Sequence, residues 1–353
     1  MDISKIDKNL ALNTEIDKED IVWYESDNAP FKVYGAFSTN PYKRMPTDIA
    51  LKTSEGVNSL HTNTAGIRIR FRTDSPYVAI HAEWNEFCCF AHMPLTGSSS
   101  FDIYSYNPES QKQLFVASLG CPFDSDKGFE SVRDLSGKMQ DYVINFPLYN
   151  NVDKLYIGVS KGAKFEEPSE YANKAPVVFY GSSITQGGCA SRPGNCYQSI
   201  LSRSLNFDYI NLGFSGNGKA EDVIVDYMAG LEMSVFVSDY DHNAPNPEYL
   251  EKTHYKMYEK IREKHPEIPY IMLSKPDFNF TREDVLRRTV VMESYCKAVK
   301  SGDKNVYFVD GASIFRGDDF NSCTVDTCHP TDVGFRYFAE ALYPALKIAL
   351  FGI

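Results

Sequence analysis

Two adjacent serines lie where an apolar run ends, in the stretch VVFYGSSITQGG at residues 177–188. A serine hydroxyl is a poor nucleophile unless a base takes its proton, so a chemical role requires a partner elsewhere in the chain. Asp326 and His329 are three residues apart in VDTCHP, just before a helix that Pro330 can begin. At this spacing the carboxylate can reach the imidazole, fix its tautomer and stabilise its protonated form. Together these residues indicate acyl transfer to a serine, with His329 as the base.

Donors for the oxyanion that forms on an attacked carbonyl occur in two further stretches. The first, NLGFSGNG at residues 211–218, holds three glycines, and a glycine N–H can approach an oxyanion because no side chain is in the way. A dinucleotide loop is the alternative, but that loop reads GxGxxG whereas this stretch reads GxxGxG, which disfavours it. The second, SDYDHNAPN at residues 238–246, contains Asn243, whose side-chain amide can donate to the same oxygen.

These stretches also contain residues that could bind a metal ion. Asp239 and Asp241 form a pair of carboxylates that could bind a metal ion, but we favour hydrated loop carboxylates with helix-capping roles. The eight cysteines contain no CxxC pair, and their spacings form no zinc signature with nearby histidines. We therefore expect neither a metal nor a cofactor.

The first half of the chain has the pattern of an all-β domain. Short segments alternate apolar and polar residues, turn-rich pieces separate them, and no helix of ten or more residues is predicted after the first 20. Such segments at regular spacing predict an antiparallel β-sandwich of jelly-roll type over residues 1–165. The predicted strands are 66–73, 75–84, 101–107, 113–119, 141–149 and 154–160.

The second half changes to alternating strands and helices. Its strands are continuous apolar runs, as expected when both faces of a strand are buried. The alternation predicts a three-layer α/β domain over residues 175–353, with a parallel sheet between helices. In such sheets ligands bind at the carboxyl ends of the strands, where the stretches described above lie. The predicted strands are 176–181, 207–213, 233–240, 269–276 and 305–311, and the predicted helices are 195–205, 220–230, 247–264, 281–300 and 331–350.

Composition and charge exclude some classes of function. The chain has 353 residues and a net charge of -11, whereas a protein that binds nucleic acid or an anionic membrane needs a basic surface. It has no apolar run long enough to span a bilayer. Its first 20 residues are polar and lack the apolar core of a signal peptide, which predicts a cytoplasmic protein.

The motifs that contain the candidate catalytic residues, over 176–350, resemble those of the SGNH (GDSL) hydrolase superfamily. Its first block reads G-D-S-x-T/S, and here Gly181, Ser182, Ser183, Ile184 and Thr185 stand at those positions. The resemblance places the nucleophile at Ser183 and leaves Ser182 where the family has an aspartate. We expect the Ser182 hydroxyl to make a structural hydrogen bond in the turn.

The other three blocks supply the remaining parts of a hydrolase site. By resemblance, Gly216 is the second-block glycine, and its N–H forms the oxyanion hole with the Ser183 N–H and the Asn243 side chain. The third block departs from the family's G-x-N-D, because only the asparagine is present. The last block, with Asp326 and His329 before a proline, matches best and completes the triad.

The whole chain also resembles a two-domain subgroup in which a β-rich domain with a G-x-D-L-Y motif precedes the hydrolase domain. SFDIY at residues 100–104 corresponds to that motif, with Ser100 in place of glycine. The resemblance implies a serine esterase acting through an acyl-enzyme. It favours short acyl groups, acetyl first, on a small-molecule or oligosaccharide ester. A long-chain lipase or thioesterase, and a carbohydrate-binding protein without catalysis, are the alternatives.

Overall fold

The structure is a computed structural model that describes residues 16–107, 112–277, 280–317 and 319–353. Its contacts divide the chain into two compact units, described separately below. The first unit takes the chain up to Lys43, Thr62–Glu170 and Ser191–Gly194, and the second takes Arg44–His61, Tyr171–Ala190 and Asn195–Ile353.

The first unit consists of antiparallel strands. A four-stranded sheet has the order β1-β11-β6-β9, a six-stranded sheet has the order β12-β5-β10-β7-β8 with β2 also paired to β5, and β3 and β4 form a hairpin. The strands are β1 (Ile21–Glu25), β2 (Lys32–Tyr34), β3 (Ser38–Thr39), β4 (Tyr42–Lys43), β5 (Arg68–Thr73), β6 (Tyr77–Glu83), β7 (Phe101–Asn107), β8 (Lys112–Leu119), β9 (Gly128–Asp134), β10 (Gln140–Asn145), β11 (Lys154–Ser160) and β12 (Phe165–Glu166).

One apolar core joins the two large sheets of this unit. Ile69 and Phe71 of β5 and Ile103 of β7 are fully buried in the same cluster as Ile80 of β6 and Ile157 of β11. Because successive side chains of a strand point to opposite faces, each sheet contributes one apolar face to this core. The prediction of an antiparallel β domain is therefore confirmed.

The aspartate of SFDIY has a structural function inside the first unit. Asp102 is completely buried and accepts hydrogen bonds from Asn145 Nδ2 and from the backbone N–H of Gly194, each at 2.8 Å. A buried carboxylate is stable only when donors satisfy it. These bonds explain why the short segment Ser191–Gly194 belongs to the first unit.

The second unit is built on a five-stranded parallel sheet in the order β14-β13-β15-β16-β17. The strands are β13 (Val177–Gly181), β14 (Tyr209–Gly213), β15 (Val235–Asp239), β16 (Tyr270–Leu273) and β17 (Val306–Val309). The α-helices among the described residues, of which α3 lies in the first unit and the others in the second, are α1 (Thr47–Thr53), α2 (Glu55–Leu60), α3 (Leu95–Ser98), α4 (Ser183–Gln186), α5 (Tyr197–Leu205), α6 (Asp222–Ala229), α7 (Pro247–Lys264), α8 (Arg282–Lys300) and α9 (Asp332–Phe351). The predicted parallel sheet with flanking helices is confirmed.

This strand order positions the candidate catalytic residues. The chain leaves β13 to form β14 on one side and then crosses to form β15 on the other, so the loops after these three strands border one crevice. Ser183, Gly216 and Asn243 follow β13, β14 and β15 in turn. Asp326 and His329 lie in the loop that precedes α9.

Residues 44–61 depart from the simple order of two consecutive domains. The sequence places them inside the predicted β domain, but they carry α1 and α2 and belong to the second unit. The physical reason is burial, because Met45, Ala50 and Val57 are fully buried in the core of the second unit with Leu212 and Phe214.

Across the described residues, no helix combines the length and the apolar character needed to cross a bilayer.

Candidate active site

The turn between β13 and α4 presents Ser183. Ser182 is the N-cap of α4, and its hydroxyl accepts a hydrogen bond from the N–H of Ile184 at 3.1 Å. This bond satisfies one of the free donors at the start of a helix. The expectation that Ser182 makes a structural hydrogen bond is thus confirmed, and Ser183 becomes the first residue of the helix, with 5% of its surface exposed.

Ser183, His329 and Asp326 form a continuous chain of hydrogen bonds. His329 Nε2 lies 2.8 Å from Ser183 Oγ, and His329 Nδ1 lies 2.7 Å from Asp326 Oδ2. Because a carboxylate can only accept, the proton of the neutral imidazole is on Nδ1 and Nε2 is free to accept from the serine. This is the arrangement that a general base requires.

The loop that carries His329 is organised around the carboxylate of Asp326. Asp326 Oδ1 accepts the backbone N–H groups of Cys328 at 3.1 Å and of His329 at 2.8 Å. Burial opposes ionisation of Asp326, but these bonds together with the imidazole outweigh it and hold the pKa of Asp326 below its ordinary value. The carboxylate therefore stays charged beside His329.

The turn after β14 presents Gly216. Its backbone φ is +68°, which glycine adopts without strain. The carbonyl of Phe214 accepts the N–H groups of Asn217 and Gly218, and the N–H of Phe214 donates to the carbonyl of Gly181. These bonds join the Gly216 turn to the end of β13.

Asn243 lies at the end of a short 3₁₀ helix after β15. Its Oδ1 accepts the N–H of Gly218 at 3.3 Å, which links Asn243 to the Gly216 turn. With Oδ1 used in this way, the two hydrogens on Nδ2 are the donors that the amide can offer a ligand.

A cavity of about 570 Å³ brings these groups together in the second unit. Four of the five predicted site residues, Ser183, Gly216, Asn243 and His329, line it, and Asp326 is hydrogen-bonded to one of them. The hydroxyl, the imidazole, the carboxylate and the N–H donors found here are the kinds of group that acyl transfer to a serine requires.

Further lining residues were not singled out from the sequence. Lys275 follows β16, so the rule that ligands bind beyond strand ends could have identified it. No sequence pattern identifies the lining residues at the start of α8, or those that are adjacent in the chain to the candidate catalytic residues. The further lining residues are Ser215, His242, Lys275, Thr281, Glu283, Asp284, Arg287 and Cys328.

The expectation of hydrated carboxylates at Asp239 and Asp241 is wrong. Both are buried, at 0% and 2% exposure, because Asp239 ends the buried strand β15 and Asp241 begins the short 3₁₀ helix that follows it. Asp239 Oδ2 accepts from the Thr185 hydroxyl at 2.9 Å, and Asp241 accepts from His242 Nδ1 and from the N–H of Lys275. Ligand atoms of Asp239, Asp241 and His242 lie within 4.8 Å of one another.

The buried Asp239 leads to a prediction about stability. Burial raises the pKa of Asp239 to about 6, whereas an aspartate in an unfolded chain titrates near about 3.9. Between these values the folded protein keeps a proton that the unfolded chain releases, so the free energy of unfolding falls as the pH rises from about 4 to about 6. Asp239→Asn keeps an acceptor for Thr185 and carries no charge, so it should lack this fall of roughly 2 kcal/mol. Urea unfolding at several pH values measures the difference, and parallel curves for both proteins would contradict it.

Comparison with known proteins covers both halves of the chain. Residues 174–347 match the model of the GDSL-like lipase/acylhydrolase family, and residues 21–165 match the model of the N-terminus of SGNH-hydrolase-type esterases that is called GxDLY. No curated protein matches the chain.

Solved structures similar to the chain span nearly its full length. A protein described as a GDSL-like lipase of Bacteroides ovatus is 27% identical, with 94% of this chain and 98% of that chain covered and a TM-score of 0.83. Two others share the fold. A salicylyl-acyltransferase from a tetracycline biosynthetic pathway is 19% identical over 93% of this chain and 97% of its own, with a TM-score of 0.76. A family two carbohydrate esterase from Clostridium thermocellum, in complex with cellohexaose, is 14% identical over 90% and 98%, with a TM-score of 0.59.

The chain therefore belongs to the GDSL-like (SGNH) hydrolases, in the two-domain form whose β-rich N-terminal domain is of the GxDLY type.

Proposed function

We propose that the protein is a serine esterase that hydrolyses short acyl esters, acetyl esters first, of carbohydrate alcohols through an acyl-enzyme. The observation that carries this proposal is the hydrogen-bonded chain from Ser183 through His329 to Asp326, with Ser183 and His329 facing a polar cavity. Neither a metal nor a cofactor enters the proposed reaction.

In the acylation step, Ser183 Oγ attacks the ester carbonyl carbon and His329 Nε2 takes the hydroxyl proton. The Asp326 carboxylate stabilises the imidazolium that forms. The C–O bond to the alcohol then breaks, and the alkoxide leaves with the proton from His329 Nε2. The acyl group remains on Ser183.

In the deacylation step, His329 Nε2 takes a proton from water, and the hydroxide oxygen bonds to the acyl carbon. The bond to Ser183 Oγ breaks and the proton returns to that oxygen. In both steps the negative charge on the carbonyl oxygen is stabilised by the Ser183 N–H, the Gly216 N–H and Asn243 Nδ2. Loss of one such donor costs about 10²–10³ in rate.

The cavity lining favours a short acyl group and a hydroxyl-rich alcohol. A groove for a long acyl chain would need an apolar lining. Of the described residues around this cavity, all carry polar or charged side chains or are small, and none is a large apolar residue. The likeness to a carbohydrate esterase that was solved with cellohexaose also supports a sugar alcohol.

The substrate proposal predicts a clear preference for acyl length. The value of kcat/KM for p-nitrophenyl acetate should exceed that for p-nitrophenyl octanoate at least about tenfold, because the polar lining offers a long chain no apolar contact. Acetate release from acetylated xylan, acetylated mannan and small acetyl sugars then identifies the alcohol. A preference for octanoate would support the lipase or thioesterase alternative, and no hydrolysis of any ester would support a binding protein.

A further inference from the structure

Two of the proposed oxyanion donors, Gly216 and Asn243, lie in loops whose backbone carbonyls are bound by buried arginines. We propose that Arg44 and Arg287 are positioning residues that hold Gly216 and Asn243, respectively, in place for the reaction. The inference rests on the proposed function, because it assigns these arginines to the oxyanion hole of that reaction.

Arg44 binds the backbone immediately before the Gly216 turn. It is 1% exposed, and its Nη1 donates to the carbonyls of Gly213 at 2.6 Å and of Asn211 at 3.1 Å. Its Nη2 donates to the carbonyl of Leu60 at 2.7 Å, and its guanidinium lies 4.7 Å from the centre of the Phe214 ring. A buried guanidinium is costly unless its donors are satisfied, and here they are satisfied by backbone carbonyls.

The position of β14 explains why these carbonyls need a donor. β14 is an edge strand of the five-stranded sheet. The N–H of Phe214 donates to the carbonyl of Gly181 in β13, and the backbone groups of successive residues in a strand point to alternate sides. The carbonyls of Asn211 and Gly213 therefore face away from β13, on the unpaired side of the strand. Arg44 supplies donors to both, and so it fixes the end of the strand from which the turn starts.

Only two residues, Phe214 and Ser215, separate the Gly213 carbonyl that Arg44 binds from Gly216, and backbone hydrogen bonds of Phe214 hold this turn. Phe214, which stacks below the guanidinium of Arg44, carries the N–H and the carbonyl that define the turn. Residues 44–61 also contact the far side of the turn, since a Cβ added to Gly56 would lie 2.1 Å from Oδ1 of Asn217. A segment from the first half of the sequence therefore supports Gly216 from both sides.

Arg287 has the same relation to Asn243. It is 7% exposed, and its Nη1 donates to the carbonyls of Asp241 at 2.6 Å and of Ala244 at 2.7 Å, which flank Asn243 in the chain. Its Nη2 pairs with Glu283 at 2.5 Å. The two arginines thus hold the two loops by the same means, a guanidinium nitrogen shared between two carbonyls.

The test replaces each arginine with lysine, which keeps the charge but has no planar fork to bridge two carbonyls. Arg44→Lys should lower kcat for p-nitrophenyl acetate by about 10–100-fold with KM changed less than about threefold, because the donor is displaced while the cavity is kept. Arg287→Lys should also lower kcat. The acid limb of the pH profile should stay where it is, since His329 and Asp326 are untouched.

Arg68→Lys is the matched control. Arg68 is 2% exposed and donates to the carbonyl of Gly66 at 2.9 Å, but it lies in the first unit. Its replacement should destabilise the protein to urea and leave kcat within about twofold. If Arg44→Lys does not fold, Gly56→Ala takes its place, with the same expected loss of kcat.

Equal kcat values for Arg44→Lys and Arg68→Lys, or a rise in KM at unchanged kcat, would overturn the inference. A wild-type protein that hydrolyses no ester would instead overturn the proposed function, so the two failures are distinguishable.

Discussion

Ser183→Ala is expected to lower the hydrolysis of p-nitrophenyl acetate by at least about 10³-fold, because it removes the oxygen that we propose accepts the acyl group. The hydroxyl lies 2.8 Å from His329 Nε2, so its loss leaves the base without a proton to take. The oxyanion donors remain, and they account for any residual rate. Steady-state release of p-nitrophenol at saturating substrate measures this effect.

Ser182→Ala is the matched control, because it removes the neighbouring hydroxyl from the same turn. That hydroxyl caps α4 through the N–H of Ile184. Its loss should cost about 1 kcal/mol of stability and leave most of the activity. If the effects of the two substitutions were reversed, Ser183 would not be the nucleophile.

Asp326→Asn is expected to lower kcat by about 10³–10⁴-fold while the fold is retained. The carboxylate oxygen that accepts the N–H groups of Cys328 and His329 would become the amide oxygen, which can accept the same bonds. The amide nitrogen would then face His329 Nδ1 and force the imidazole proton onto Nε2. In that tautomer the imidazole cannot accept the proton of Ser183.

The control for Asp326 is Asp310→Asn. Asp310 pairs with Arg288 and caps a short helix, and it is not among the residues that line the cavity. It should leave kcat within about twofold, since surface substitutions have small effects. A loss below about tenfold in Asp326→Asn would mean that His329 does not need the carboxylate to hold its tautomer.

Most of the fold could be predicted from the sequence because it follows from local patterns. The apolar run of β13 is buried on both faces, and the helix predicted over 247–264 has those bounds, since Asn246 caps it and Pro247 starts it. The alternation in β7 and β11 likewise predicted strands at Phe101–Asn107 and Lys154–Ser160.

Features that depend on distant contacts could not be predicted. Residues 44–61 have an ordinary local pattern, and only the burial of Met45 and Val57 places them in the second unit. The polar type of Asp239 predicts a hydrated residue, whereas the structure buries it at the end of β15. The candidate site could be predicted in part. The resemblance to the four family blocks identified its five residues, but not the other residues of the cavity wall, which come from α8 and the loop after β16.

Labelling with a fluorophosphonate tests the central claim most directly, because the reagent phosphonylates a serine, with loss of fluoride, only when a neighbouring base activates it. Intact mass and peptide mapping should show one label per chain, on Ser183, and none in Ser183→Ala. Asp326→Asn should react more slowly. A label on Ser182, or an unlabelled wild-type protein that is folded, would contradict the assignment of Ser183, His329 and Asp326 as the reacting unit.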